Sequence, residues 1–319
     1  MKPNDEIRSV AVVGAGLIGS GWAAYFLAQG LDVVATDPAP NAKQDMQQRV
    51  DRVWPLLEQL GLQPGASRAR LRFHPDMEEA VQGADFVQEN GPERDEVKRK
   101  LFERLDAVLP PNVILASSSS GLKMSSIQSG CRHPERCVIG HPFNPPYLVP
   151  LVEVVGGAKT SSENLQRTMR FYASVKKHPI LLRKEATGHV ANRLQAAIWR
   201  EAIHLVAEGV VTVEDVDAAV YLGPGLRWSF MGPHLTFHLA GGDGGMKHFL
   251  DHLAGPVGTW WADLGRPELT PEVRSLLVKG VTDEAAGRSM AELEAERDQM
   301  LLKLLTLRRN GTHTEGHST

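Results

Sequence analysis

Residues 140–155, GHPFNPPYLVPLVEVV, are apolar and proline-rich apart from His141 and Glu153, the two side chains there that titrate between acid and neutral pH. Burying an imidazole or a carboxylate is expensive unless each has a partner, so the two are best read together. His141 ends one run with strand character and Glu153 lies in the next, so neighbouring strands can bring the side chains into contact. A carboxylate against an imidazole fixes its tautomer and stabilises the imidazolium when it forms. Such a pair can take the proton of a carbinol while hydride leaves the carbon, or protonate a ketone oxygen in reverse. A buried structural ion pair is the competing reading, and the spacing alone does not separate them.

A second constellation is GAGLIG, with Gly14, Leu17 and Ile18 inside it and Gly16 and Gly19 completing the triplet. It follows a strand-like run, RSVAVVG, and opens a helical one, LIGSGWAAYFLAQG. The first glycine permits the tight turn, the second lets a pyrophosphate approach the backbone, and the third lets helix pack on strand. The helix N-terminus then offers N–H groups and partial positive charge to phosphates. A glycine triplet alone is weak evidence, but Asp37 closes the second strand-like run in the right register. A carboxylate there accepts hydrogen bonds from ribose hydroxyls and repels a 2′-phosphate, which favours NAD over NADP. Asp37 as a turn residue before Pro38 is the plainer alternative.

These groups need a scaffold. Runs 31–37, 84–90, 112–117, 137–143, 148–155 and 178–183 have strand character, and helical stretches separate most of them. One, NAKQDMQQRVDRVWPLLEQL, is expected to break or kink near Pro55. Strands alternating with helices predict an α/β domain with a parallel, doubly wound sheet. Ligands bind at the strand ends of such sheets, which tilts the His141–Glu153 pair toward chemistry. From Thr187 strand signal disappears. HVANRLQAAIWREAIHLVAEG places Val190, Leu194, Ile198, Leu205 and Val206 near one helical face, with Gly209 as a stop. Segments around 213–222, 230–253, 270–281 and 290–308 also read as helical. The predicted organisation is a nucleotide-binding domain over 1–186, an all-helical substrate and dimerisation domain over 187–308, and a polar disordered tail over 309–319.

Composition excludes several classes. The formal charge is −3 with no basic stripe, which argues against nucleic-acid binding. No apolar run reaches the roughly 18 residues of a membrane helix, and MKPNDEIRSV lacks a signal-peptide core, so a cytoplasmic protein is expected. Cys131 and Cys137 are close enough to bridge, but in a chain of this size they read as reduced thiols, and CRHPERC has the wrong spacing for a zinc ligand set. His234 with His238 and His248 with His252 have helical i, i+4 spacing, but without an HExxH glutamate no metal is expected.

Taken in order, VAVVGAGLIGSG, SSSSGL, GHPFNPP, LVEVV and GHVANRL resemble the L-3-hydroxyacyl-CoA dehydrogenase superfamily across nearly the whole chain. The resemblance implies a Rossmann domain, a helical C-terminal domain that forms a homodimer, and NAD as hydride acceptor. It puts the family's catalytic histidine on His141, the partner glutamate on Glu153, the substrate-contacting serine on Ser120 and the asparagine of its NRL motif on Asn192. The cofactor-pocket Glu and Lys fall on Glu93 and Lys98, and Ser118 joins the cofactor residues. From the residues alone, Ser120 reads equally well as a helix cap, and an asparagine placed as Asn192 is more often a cap, so its role rests on the resemblance.

Within the superfamily, HPFNP and SSSS depart from the fatty-acid enzymes' HFFNP and SNTS. HPERCVIGHPFNPP, LVEVVGG and GLRWSFMGP resemble the carnitine dehydrogenase branch, and SSSSGL and RLQAAI resemble lambda-crystallin, an L-gulonate 3-dehydrogenase. Both act on small free 3-hydroxy acids without CoA. The expected reaction is NAD-dependent oxidation of L-carnitine to 3-dehydrocarnitine, with L-3-hydroxyacyl-CoA and L-gulonate as alternatives. A quaternary ammonium is held by aromatic faces, for which Phe143, Trp199, Trp228 and Phe230 are candidates, although aromatics on helices are usually core. Arg227 is a candidate partner for the substrate carboxylate. QENGPER departs from the tripeptide that the carnitine enzymes carry before PER. A crystallin-like scaffold or an NAD sensor without turnover remains the reading outside the enzyme class.

Overall fold

The computed structural model describes residues 7–312, with backbone only from 310. The first compact unit runs to Asn192 and takes back Asp298–Thr306; the second holds Arg193–Arg297 and the residues from Leu307. The first unit contains β1 (Ser9–Val13), α1 (Leu17–Ala28), β2 (Asp32–Thr36), α2 (Ala42–Leu60), β3 (Leu71–Phe73), α3 (Met77–Ala80) and β4 (Phe86–Glu89). It continues through α4 (Asp95–Val108), β5 (Ile114–Ser117), α5 (Met124–Ile127), β6 (Cys137–Pro142), β7 (Leu151–Gly156), α6 (Ser162–Ser174) and β8 (His178–Leu181).

The strands form one sheet in the order β3-β2-β1-β4-β5-β6-β7-β8. Consecutive residues of β1 go to opposite sides. Val10 and Val12 join the apolar cluster with Trp22 and Phe26 of α1, while Ala11 and Val13 join the one with Phe102 and Leu105 of α4. Helices therefore cover both faces, as an α/β sheet with near-continuous apolar strands requires. The order reverses between β1 and β4, and such a switch point opens a crevice at the carboxyl ends of the strands.

Three features depart from the sequence expectation. β7 runs antiparallel to β6, because the connection 143–150 is shorter than the dozen or more residues of a parallel crossover. β3, only three residues long, gave no periodic signal. Pro55 lies inside an unbroken α2 rather than interrupting it.

The remaining helices are α7 (Ala191–Ala207), α8 (Val213–Leu222), α9 (Pro224–Trp228), α10 (Pro233–Ala240), α11 (Gly245–Asp263), α12 (Pro271–Ala285) and α13 (Met290–Thr312). The units divide at Asn192, six residues beyond the expected 186, because the first residues of α7 bond back to the sheet domain. Asp298–Thr306 of α13 returns to the first unit. Leu301 and Leu305 pack on its core, and Tyr147 donates to Asp298 Oδ2 at 2.5 Å. The expected polar tail begins at 309, yet α13 runs to Thr312; residues 313–319 lie outside the described residues. The second unit buries little: Val206, Val213 and Val216 form its cluster, while Leu194 is 55% and Trp199 60% exposed. No helix among the described residues is long and apolar enough to cross a membrane.

Candidate active site

The glycine loop is built as its spacing requires. Gly14 has φ of +95°, and a side chain there would meet the Asn90 carbonyl at 2.8 Å. A Cβ on Gly19 would lie 1.8 Å from the Gly14 carbonyl oxygen, whereas one on Gly16 meets nothing within 4 Å. Two glycines thus serve backbone packing, and the third leaves an open approach at the start of α1. That helix has no side-chain cap and no acidic residue in its first turn, so the electrostatics there suit a phosphate. Asp37 directly follows β2. Its Oδ2 accepts from Ala15 N–H at 2.7 Å and its Oδ1 from Ala39 N–H at 2.8 Å, so one carboxylate holds both the glycine loop and its own turn. Arg49 of α2 donates to the Ala15 carbonyl at 3.2 Å, placing a cation at the same loop. These features fit a dinucleotide.

Past β4 and β5 the polar groups interlock. Glu89, fully buried at the end of β4, accepts from Gly91 N–H, from Ser117 Oγ and from Lys98 Nζ at 2.9 Å. Lys98 is itself buried, donates to the Gly91 carbonyl at 3.1 Å and lies 3.8 Å from Glu93. Glu93 gathers the serine run, accepting from Ser119 Oγ at 2.7 Å and from the N–H groups of Ser120 and Gly121, each at 2.9 Å. Burial raises its pKa, but the Ser119 hydroxyl, the Lys98 ammonium and those N–H groups outweigh it and hold the carboxyl below the usual range. Ser118 Oγ donates to Asn90 and accepts from Gln88 and Trp22. Asn192 Nδ2 reaches the Ser120 carbonyl at 3.1 Å, and no bond from it to His141 is formed.

His141 and Glu153 face each other directly in the antiparallel β6–β7 register. A directly opposed cross-strand pair is the closest side-chain neighbour a sheet offers. His141 Nδ1 lies 2.9 Å from Glu153 Oε2, and both residues are buried. Glu153 Oε1 accepts from Val190 N–H at 2.8 Å and Ala191 N–H at 3.0 Å, at the entry of α7. Burial raises its pKa, yet the bonds from His141, Ala191 and Val190 together keep it below the usual carboxylate range. A carboxylate so fixed keeps the proton of the imidazole on Nδ1 and leaves Nε2 as acceptor. The ring of Phe143 stands edge-on to His141, centroids 6.3 Å apart.

A residue the sequence reading passed over completes the cluster. His189, beside Asn192 in GHVANRL, is buried with its ring 5.2 Å from that of His141 and its Nε2 2.9 Å from the Ser119 carbonyl. The one available signal was a second imidazole in a motif read only for its asparagine. Glu89 was equally silent, because its role depends on how Lys98 of α4 and Ser117 of β5 fold back onto the end of β4. Arg227, Trp228, Phe230 and Trp199 belong to the second unit and are exposed there. Of the histidine pairs, His238 Nδ1 accepts from Met246 N–H, and His252 Nδ1 lies 2.9 Å from the His248 carbonyl. Among the described residues no three His, Cys, Asp or Glu side chains converge as a metal site, and Cys131 and Cys137 are unbridged.

Hydrogen bonds and close packing thus run from the glycine loop through Asn90, Ser118 and the serine run to the imidazole pair. A nucleotide cradle at one end and a carboxylate-held imidazole at the other define an oxidoreductase of the dinucleotide-dependent class. Comparison with known proteins fixes the family. Residues 9–186 match the model of the 3-hydroxyacyl-CoA dehydrogenase NAD binding domain, and residues 188–268 match the C-terminal domain of the same enzymes. The chain belongs to the 3-hydroxyacyl-CoA dehydrogenase family and is an NAD-dependent oxidoreductase. It is 48% identical to an L-carnitine dehydrogenase of Bacillus cereus, over 95% of this chain and 93% of that one. With an L-carnitine dehydrogenase of Streptomyces coelicolor the identity is 50%, over 96% of each. Among solved structures, an NAD+-dependent dismutase, FHMPC 5-dehydrogenase, superposes with a TM-score of 0.81 at 31% identity, covering 98% of this chain and all of that one. A 3-hydroxybutyryl-CoA dehydrogenase of Escherichia coli gives 0.66 at 28% identity, over 86% of this chain and 57% of that one.

Proposed function

We propose that the chain oxidises the 3-hydroxyl of a small L-3-hydroxy acid to the 3-oxo acid, and that its substrate is L-carnitine, giving 3-dehydrocarnitine. The observation that carries the chemistry is the His141–Glu153 contact of 2.9 Å, with Glu153 anchored by two backbone N–H groups. Bound NAD supplies the hydride acceptor. His141 Nε2 takes the hydroxyl proton, and Glu153 stabilises the imidazolium that results. Ser120 and Asn192 hold the substrate oxygen, positioned by Glu93 and by each other. The relatives at about half identity over more than nine-tenths of both chains support carnitine as the substrate. Phe143 supports it further, since an aromatic ring beside the base suits a ligand whose cation cannot accept or donate a hydrogen bond. Arg227, Trp228 and Phe230 are assigned to substrate binding, and single alanine substitutions should raise KM for L-carnitine.

The test is a panel of L-carnitine, L-gulonate, L-3-hydroxybutyrate and L-3-hydroxybutyryl-CoA with NAD, followed by NADH absorbance. The highest kcat/KM is expected for L-carnitine; a preference for the thioester would overturn the substrate assignment. A homodimer formed through the helical unit belongs to the same reading. Trp260 is 65% and Trp261 71% exposed on α11, and apolar surface of this kind in a helical unit suits a second copy. Light scattering at micromolar concentration should give twice the monomer mass of 34.9 kDa, and a monomer would contradict it.

A further inference from the structure

His189 occupies a conformation that L side chains rarely adopt, with φ of +51°, directly after Gly188 at φ +75°. This turn makes the next two backbone N–H groups, of Val190 and Ala191, converge on Glu153 Oε1. Successive N–H groups in such a turn form a natural anion cradle. The His189 ring contributes separately. Its Nε2 meets the Ser119 carbonyl at 2.9 Å, which makes Nε2 the protonated nitrogen and Nδ1 an acceptor. Nδ1 is buried, and no protein group lies within hydrogen-bond reach of it. Buried acceptors are seldom left without a donor, and each exception calls for a role. Burial holds the His189 pKa below the usual histidine range and the neighbouring His141 acts the same way, against the Ser119 carbonyl and the Glu153 and Glu93 carboxylates. The ring therefore stays neutral beside an imidazole that must become charged.

We propose that His189 is a positioning residue for the proton-transfer pair: it ties the Ser119–Ser120 loop to the turn that holds Glu153, and its Nδ1 accepts a hydrogen bond from an O–H group bound beside His141. That O–H belongs to water or to the substrate. The inference rests on the proton-transfer reading above, because it assigns His189 to the support of His141. It also separates this chain's turn from a purely structural one, in which a ring of the same size without nitrogen would serve equally.

The experiment has two arms on the full-length enzyme. In the first, His189→Phe keeps the ring volume and removes both hydrogen bonds. Turnover of L-carnitine should fall roughly 10²-fold, as misplacement of reacting groups by about an ångström does, with NADH affinity retained. His189→Gln, whose amide nitrogen reaches the place of Nε2 and can donate to the Ser119 carbonyl, should recover part of the loss. A His189→Phe enzyme turning over at the native rate overturns the proposal. The second arm uses the native enzyme and is informative even if the variants fail to fold. Imidazole 15N resonances should show His189 as the Nε2–H tautomer, with Nδ1 at a hydrogen-bonded shift. If that shift is present with NAD alone, the donor is water; if it arises only on adding L-carnitine, the donor is the substrate. An Nδ1 that stays unbonded in both complexes, or carries the proton itself, overturns the proposal. Native enzyme inactive on the whole substrate panel would remove the functional reading instead, so the two failures are distinguishable.

Discussion

Replacing Glu153 by glutamine changes one bond out of three. The amide oxygen of Glu153→Gln can still accept from Val190 and Ala191, whose N–H groups lie 2.8 and 3.0 Å from Oε1, so the entry to α7 should survive. The change falls on Oε2, 2.9 Å from His141 Nδ1, where an NH2 now stands. A hydrogen bond to a charged partner contributes about 1.5–3 kcal/mol, so losing it from the imidazolium costs roughly 10- to 150-fold in rate. The amide also donates to Nδ1, which moves the imidazole proton to Nε2 and removes the acceptor needed by the hydroxyl. In serine proteases the comparable amide substitution costs about 10⁴. Turnover should therefore drop by about 10²–10⁴. Steady-state NADH formation measures it, and NADH fluorescence checks that the cofactor still binds. A loss smaller than about fivefold would refute the pairing as catalytic.

Other regions make their own predictions. Lys177 is buried with its ammonium over the Tyr25 ring, donating to the carbonyls of Pro146 and Val149, and burial pulls its pKa down to about 7. The unfolded chain keeps that proton up to roughly pH 10, so between these values the unfolded state binds more protons and stability rises with pH. From about pH 7 to about pH 9 urea unfolding should show a gain of about 2 kcal/mol that Lys177→Met abolishes; an equally steep variant would contradict it. Asp37→Ala releases the glycine loop and removes the ribose acceptor, so NAD affinity should fall roughly 10- to 100-fold while discrimination against NADP relaxes. An unchanged NADP to NAD ratio in kcat/KM would remove Asp37 from cofactor selection.

Local patterns carried most of this architecture. Gly14, Gly16 and Gly19 could be placed from spacing because all three belong to one strand–turn–helix unit, Gly14 and Gly19 packing against backbone and Gly16 leaving an open approach. His141 and Glu153 were legible as partners because a proline-rich link between two strands leaves them few other places to go. The antiparallel direction of β7 was not read, although the brevity of the 143–150 connection already implied it. His189 escaped because its meaning lies in Ser119, some seventy residues earlier, and in a left-handed turn that no periodicity announces. The stripe on α7 shows the opposite limit. The sequence predicts one apolar face at Val190, Leu194, Ile198, Leu205 and Val206; Val206 is buried with Leu205 packed beside it, whereas Val190, just before α7, and Leu194 and Ile198 are exposed in the single chain. Periodicity identifies a face but not what covers it.

His141→Gln offers the most direct test of the account. With L-carnitine and saturating NAD, the variant should lose about 10²–10⁴ of its turnover, the range a general base contributes, while its NADH affinity stays at the native value. Turnover within a fewfold of the native enzyme would mean that another group takes the proton, and the role assigned to the His141–Glu153 pair would be wrong.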